Sequence, residues 1–227
     1  MSSSASRIAP YLQHTNVKPD ATREDIERLL GECIEHRFGG AMVNPIWVPL
    51  AFEALRGNRD TWICTALDFP MGGGTPASVA RAAADARAAG AEQLDVMTKV
   101  GWLKSGMTVE YRDHLATAVE AFEGGPVKAM LECALLTEDE LAMAVDLCAD
   151  AGIAYVKNSS GYGGGDATPA LIARLAQLAR GRVQVKASGG IRTVDQATAL
   201  IEAGASLLGS SASVAIVAGE GRSDTDY

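Results

Sequence analysis

The sequence predicts a single-domain α/β fold, a closed (β/α)8 barrel, and three observations carry that prediction. Eight short β-rich runs alternate with longer Ala-, Leu- and Glu-rich segments along all 227 residues. Several of the runs are continuously apolar, as parallel strands buried on both faces require. The joints also repeat: Ala89-Gly90-Ala91, Ala151-Gly152-Ile153 and Ala203-Gly204-Ala205 each close a helical pattern just before a strand, as a C′ glycine does.

The strands read, in order, 12–16, 40–43, 62–67, 93–98, 127–132, 155–158, 183–187 and 207–210. The helices between them announce their starts. Thr75-Pro76 and Thr168-Pro169 place an N-cap residue before a proline at the first helical position. Thr137-Glu138-Asp139-Glu140 and Thr193-Val194-Asp195-Gln196 have the spacing of capping boxes. Seven intervening helices and a last one after Ser211 complete the eight units of a TIM barrel spanning 1–227. A doubly wound open sheet would want a glycine-rich phosphate turn after the first strand, where this chain has His14-Thr15-Asn16. The Gly/Ser/Asp-rich tail from about 219 is expected to be mobile.

Composition narrows the function. With 20 Lys+Arg against 28 Asp+Glu the net charge is −8, which argues against a nucleic-acid or membrane surface as partner. Hydrophobic residues make up 48% and charged residues 21% of the chain, an ordinary globular balance. No apolar run reaches the roughly 18–20 residues that span a bilayer, and Met1-Ser2-Ser3-Ser4 opens no signal peptide. Cys33, Cys64, Cys133 and Cys148 form no C-x-x-C pair, so reduced thiols in a cytoplasmic protein are expected. His14, His36 and His114 are dispersed and build no metal-ligand pattern. Neither metal nor cofactor is expected.

In such a barrel chemistry belongs at the C-terminal strand ends. Asp95, Lys157 and Lys186 stand within the fourth, sixth and seventh strands, although lysine is depleted from strands and rarely buried. Lys157 and Lys186 fall one βα unit apart, on neighbouring strands about 4.8 Å from each other. Like charge and desolvation lower a lysine pKa, and a neutral amine attacks carbonyls. Asp95 is placed to pass protons, directly or through water. Two lysines and an aspartate in one barrel point to Schiff-base chemistry. An anion site is expected separately. Gly189-Gly190 ends strand seven and Gly209-Ser210-Ser211 ends strand eight, the two positions where barrels most often hold phosphate. The loop from Gly161 to Gly165 is expected to close over the same group. His14 at the first strand end and Glu132 after strand five are candidate walls, while Cys133 reads as a buried small hydrophobe.

With these residues in view, the chain resembles the class I deoxyribose-phosphate aldolases from Leu12 to about Val217. The likeness rests on His14-Thr15-Asn16-Val17-Lys18-Pro19, Val43-Asn44-Pro45, Phe69-Pro70-Met71-Gly72, Leu94-Asp95-Val96, Gly101-Trp102-Leu103-Lys104-Ser105-Gly106, Val156-Lys157 and Lys186-Ala187-Ser188-Gly189-Gly190. The resemblance implies a metal-free barrel in which Lys157 forms the Schiff base, Lys186 depresses its pKa and Asp95 shuttles protons. It implies cleavage of 2-deoxyribose 5-phosphate to acetaldehyde and glyceraldehyde 3-phosphate. Thr15, Gly161, Gly189, Gly190, Gly209, Ser210 and Ser211 would line the substrate and its phosphate. Homodimers are common in the family, and some of its members carry a terminal tyrosine near the site, the position that Tyr227 would match.

Five positions depart from the family pattern: Gln13, Met42, Lys99, Asn158 and Ala212, where the family usually carries Asp, Cys, Asn, Thr and Ser. Losing an aspartate at 13 and gaining Lys99 makes the cleft two charges more positive if both side chains line it. Gln13, Met42, Lys99 and Asn158 are therefore candidate altered substrate contacts. Three other readings stay open: a sibling Schiff-base lyase with a different aldehyde or ketone partner, a barrel that binds a phosphorylated metabolite without turnover, and a metal-independent phosphosugar isomerase or synthase. The last would need a carboxylate pair rather than a lysine pair.

Overall fold

A computed structural model describes residues 7–219. Eight parallel strands close in sequence order, each pairing with its chain neighbours and β1 with β8. They are β1 (Leu12–Asn16), β2 (Gly40–Val43), β3 (Trp62–Leu67), β4 (Gln93–Met97), β5 (Val127–Met130), β6 (Tyr155–Lys157), β7 (Gln184–Ser188) and β8 (Leu207–Ser210). The helices are α1 (Arg23–His36), α2 (Val48–Ala54), α3 (Pro76–Ala88), α4 (Val100–Lys104), α5 (Thr108–Ala121), α6 (Glu138–Asp150), α7 (Pro169–Ala179), α8 (Val194–Glu202) and α9 (Ser213–Ala218). The single-domain barrel is the one expected, with strand ends shifted by a residue or two and the β4–β5 crossover split into α4 and α5. Tyr227 and the tail beyond Gly219 lie outside the described residues.

Local chemistry starts and stops these helices as the sequence foretells. The hydroxyls of Thr75 and Thr168 accept from the backbone N–H of Ser78 and Leu171, with Pro76 and Pro169 at the first helical position. Thr137 with Glu140 and Thr193 with Gln196 form complete capping boxes, and Thr22 with Asp25 forms another at α1. Each cap satisfies N–H groups that a helix start leaves without partners, worth about 1 kcal/mol apiece. Gly90, Gly152 and Gly204 all have positive φ, where the chain leaves a helix for the next strand.

The apolar layer lies between barrel and helices, with Tyr111, Phe38 and Phe122 among its largest buried side chains. Burial of each large apolar side chain stabilises the fold by about 1.5–3 kcal/mol. A second, smaller group fills the barrel interior: Met42, Cys64, Ala66, Met97 and Met130. His14 belongs to the outer layer. Its ring faces Phe38, and its Nε2 pairs with Glu32 of α1 at 2.7 Å. It therefore lines the helix layer rather than the cleft, because neighbouring residues of a strand face opposite sides and Gln13 faces in.

Candidate active site

Asp95 sits fully buried inside the barrel. Its register partner on β5 is Lys128, while Lys157 and Lys186 are register partners on β6 and β7. Lys186 Nζ donates to Asp95 Oδ2 at 2.6 Å, and Lys157 Nζ lies 3.2 Å from that same oxygen. Lys128 Nζ stands 3.1 Å from Oδ1. Three ammonium groups thus share one carboxylate away from bulk water, where charges interact far more strongly than at the surface. Burial alone would raise the Asp95 pKa, but the three lysines outweigh it and hold the carboxyl well below its usual range. For Lys186 burial lowers the pKa, Asp95 opposes, and Lys157 and Lys128 lower it again, leaving it at about 7. The strongly displaced amine is thus Lys186, and it touches the oxygen that Lys157 also touches.

Small residues and amides make room for this cluster. Lys186 Nζ also donates to Gln13 Oε1 at 2.5 Å, and Gln13 Nε2 donates to Gln93 Oε1 at 2.8 Å. A Cβ on Gly209 would stand 3.3 Å from Lys186 Cε, and one on Gly40 would stand 3.1 Å from Gln13 Cγ. Gly209, expected at the phosphate, thus also clears the path of the Lys186 side chain. Met130 Sδ lies 3.4 Å from Lys157 Nζ, and Met42 belongs to the same apolar interior. Above them the Phe69 ring meets Tyr162 edge-to-face with centroids 5.3 Å apart, joining the β3–α3 loop to the β6–α7 loop across the mouth. A recess of about 460 Å³ opens on the β2–β3 side, lined by Asn44, Ala66, Asp68, Phe69 and neighbours.

Lys99 and Asn158, like Gln13, spend their polar atoms on protein rather than on open cleft. Lys99 is buried, ion-paired with Asp68, and donates to the carbonyls of Gly72 at 2.8 Å and Gly74 at 2.6 Å. Asp68 has φ 57°, a left-handed backbone, and its Oδ1 accepts from Gly74 N at 2.7 Å. The charge gained at Lys99 is thus offset by Asp68, and the pair clasps the β3–α3 loop to the end of β4. Asn158 spends its amide on Ser188, donating to the carbonyl at 2.9 Å and accepting from the N–H at 2.8 Å. Breaking a buried pair strands the surviving charge at a cost of about 3–5 kcal/mol. Lys99→Met should therefore lower Tm by about 6–20 °C in thermal unfolding, at about 2–4 °C per kcal/mol for a chain of this size. Adding Asp68→Asn, which removes the stranded charge and tolerates the left-handed backbone, should recover more than half of the loss. No recovery in the double variant would sink the clasp.

The loops beyond β6 to β8 carry the remaining expected contacts. Glu132, buried after β5, accepts from the N–H of Ser160 at 2.5 Å and its hydroxyl at 2.6 Å, and so sets the course of the chain from Lys157 to Gly161. Ser210 Oγ donates to the Ile191 carbonyl at 2.7 Å, Ser211 is exposed and Ala212 is the N-cap of α9. Thr15 Oγ1 donates to the Gln13 carbonyl at 2.9 Å. Gly189 and Gly190 have φ 95° and 69°, and the chain at Gly165-Asp166 packs against both. Sequence reasoning missed Lys128, Gln93, Asp68 and Asp166. Lys128 carried the same signal as Lys157, a lysine inside an apolar strand. Among the described residues no group of three His, Cys, Asp or Glu side chains is placed to hold a metal ion.

No family model matches the chain, but individual proteins do. A deoxyribose-phosphate aldolase of Thermosynechococcus vestitus is 45% identical over 208 residues, covering 91% of this chain and 94% of its own. One from Streptococcus suis is 40% identical over 221 residues, covering 97% and 100%. A tetrameric deoxyribose phosphate aldolase from Aeropyrum pernix has TM-score 0.86 at 29% identity, covering 94% of this chain and 91% of that one. The barrel and these relatives define an aldolase, a carbon–carbon lyase. Within that class the chain belongs to the deoxyribose-phosphate aldolase family. The non-enzymatic barrel and the sibling lyase are not favoured.

Proposed function

We propose that this aldolase reversibly cleaves 2-deoxyribose 5-phosphate to acetaldehyde and glyceraldehyde 3-phosphate through a Schiff base on Lys157. One observation carries the reading: Lys157 and Lys186 converge on the same oxygen of a buried aspartate. Lys157 is the more exposed of the two, with a side chain 9% accessible against 1%, so it is the amine an aldehyde reaches. Its neutral form adds to C1 of the open-chain sugar, and loss of water leaves an imine. Loss of the C3 hydroxyl proton then breaks the C2–C3 bond, releasing glyceraldehyde 3-phosphate and an enamine. Protonation of the enamine at C2 and hydrolysis release acetaldehyde and return the amine.

Asp95, held ionised by its lysines, serves as a fixed acceptor that orients both amines. Lys186, lowered to about 7, is the group suited to give and take the travelling proton near neutral pH. Lys128 adds a second buried cation that helps keep Asp95 ionised. The sugar phosphate rests on backbone N–H groups around Gly189-Gly190 and on the Ser210-Ser211 turn, with Gly161 and Thr15 at the edges. Four buried free cysteines support a reducing compartment, the cytoplasm. Among the described residues no helix is long and apolar enough to cross a membrane. The tetrameric Aeropyrum relative supports self-association, with a homodimer as the smallest unit.

Borohydride trapping with acetaldehyde tests the reading. Intact mass should show one added two-carbon unit, peptide mapping should find it on Lys157, and deoxyribose 5-phosphate should be consumed in the same preparation. A label confined to Lys99 or Lys128 would refute the assignment.

A further inference from the structure

The phosphate turn carries a carboxylate. A Cβ built on Gly190 would stand 2.6 Å from Asp166 Cγ, 2.7 Å from its Oδ2 and 2.9 Å from its Oδ1. The carboxylate therefore lies flat against the Gly190 backbone, at the turn to which the substrate's anionic end has been assigned. Ala167 N donates to the Gly189 carbonyl at 3.0 Å and anchors the segment there. Asp166 is exposed, and among the described residues it forms no ion pair. An anion site is ordinarily lined by N–H groups and cations, and a bare carboxylate opposes that field.

We propose that Asp166 is a specificity-determining residue that weakens the preference for a phosphorylated sugar and admits substrates ending in a hydroxyl. The inference rests on the aldolase reading and its phosphate turn. The mechanism is direct. A phosphate dianion on Gly189-Gly190 meets the negative charge of Asp166 and loses part of what the backbone N–H groups supply. A terminal hydroxyl in the same place donates a hydrogen bond to that carboxylate. Solvent screens an exposed charge, so the penalty is moderate and depends on salt. The enzyme then accepts short 2-deoxy sugars and hydroxyaldehydes with less regard for phosphate than a turn without the carboxylate would show.

Asp166→Asn removes the charge and keeps the shape. Two readouts are expected. Inorganic phosphate should bind the variant about three- to tenfold more tightly by calorimetry at low ionic strength, the gain shrinking in high salt. The ratio of kcat/KM for 2-deoxyribose 5-phosphate to that for unphosphorylated 2-deoxyribose should rise by a similar factor, with the unphosphorylated sugar not gaining. Unchanged phosphate affinity together with an unchanged ratio would overturn the proposal, as would an equal shift for both sugars, which marks a change in loop shape. Failure of the aldolase reading looks different. Neither sugar would then be cleaved and no adduct would form on Lys157, while the phosphate affinities of the two proteins would still decide whether Asp166 opposes an anion at this turn.

Discussion

Lys157→Met is expected to abolish the borohydride-trapped adduct and to reduce cleavage of deoxyribose 5-phosphate on the order of 10⁴-fold or more. Methionine keeps the length of an unbranched side chain and tolerates the contact with Met130 Sδ that Lys157 makes at 3.4 Å. Asp95 retains Lys186 and Lys128 as partners, so no buried charge is stranded. Stability should change by less than about 1.5 kcal/mol. That separation matters, because a variant that simply unfolds would also be inactive. Thermal unfolding and circular dichroism check the fold, and mass spectrometry checks the adduct. Three buried or nearly buried amines crowd one carboxylate, so the experiment has a sharp alternative outcome. An adduct on Lys186 in the folded variant, or in the native protein, would transfer the nucleophile's role to β7.

Lys186→Leu carries the second large effect, and it divides between rate and pH. Burial, reinforced by Lys157 and Lys128 and opposed by Asp95, leaves Lys186 at about 7. The rising limb of kcat/KM in the native enzyme should therefore fall near neutrality. Leucine removes a cation beside Asp95 while the carboxylate stays. The group that titrates near 7 is then gone, so the limb near neutrality should disappear from the profile, with kcat down about 10²–10⁴-fold. Stability follows with a definite sign. Between about 7 and the ordinary lysine value of 10.5, the unfolded chain holds the Lys186 proton and the folded chain does not. Unfolding free energy from this group therefore rises with pH across that window, and below it the group opposes folding in full. A leucine side chain titrates in neither state, so the variant should lose this rise. Denaturation midpoints at pH 6 and pH 9, set beside the pH–rate profile, read both effects. A limb that stays where it was would show that Lys186 is not the group that sets it.

Much of this molecule is legible from local sequence. Apolar runs mark the eight strands, because each is covered on both faces and needs few polar side chains. Thr75, Thr137, Thr168 and Thr193 mark helix starts, because a cap is a contact between residues two or three apart. Asp95, Lys157 and Lys186 stand out for a related reason: a charge inside an apolar strand is costly unless other charges meet it. That rule reaches Lys128 as well, which shows that the signal identifies buried charges and is silent on which of them bears the chemistry.

The departing positions show what a chain of letters leaves undecided. Gln13, Lys99 and Asn158 all read as altered substrate contacts, since each lies at or near a strand end. In the folded protein Gln13 meets Lys186 across 173 residues of chain, Lys99 meets Asp68 across 31 and Asn158 meets Ser188 across 30. Alternation along a strand says whether a side chain faces inward or outward, and that much was available beforehand. Which group waits on the other side depends on β1 closing against β8, and on loops from distant units meeting over the mouth. The strands, caps and buried charges are thus consequences of nearest-neighbour chemistry, written in the sequence alone. The partners of those charges, the clasp at Lys99 and the carboxylate of Asp166 against Gly190 exist only once the barrel is closed, because closure is what brings residues far apart in the chain within reach of a hydrogen bond.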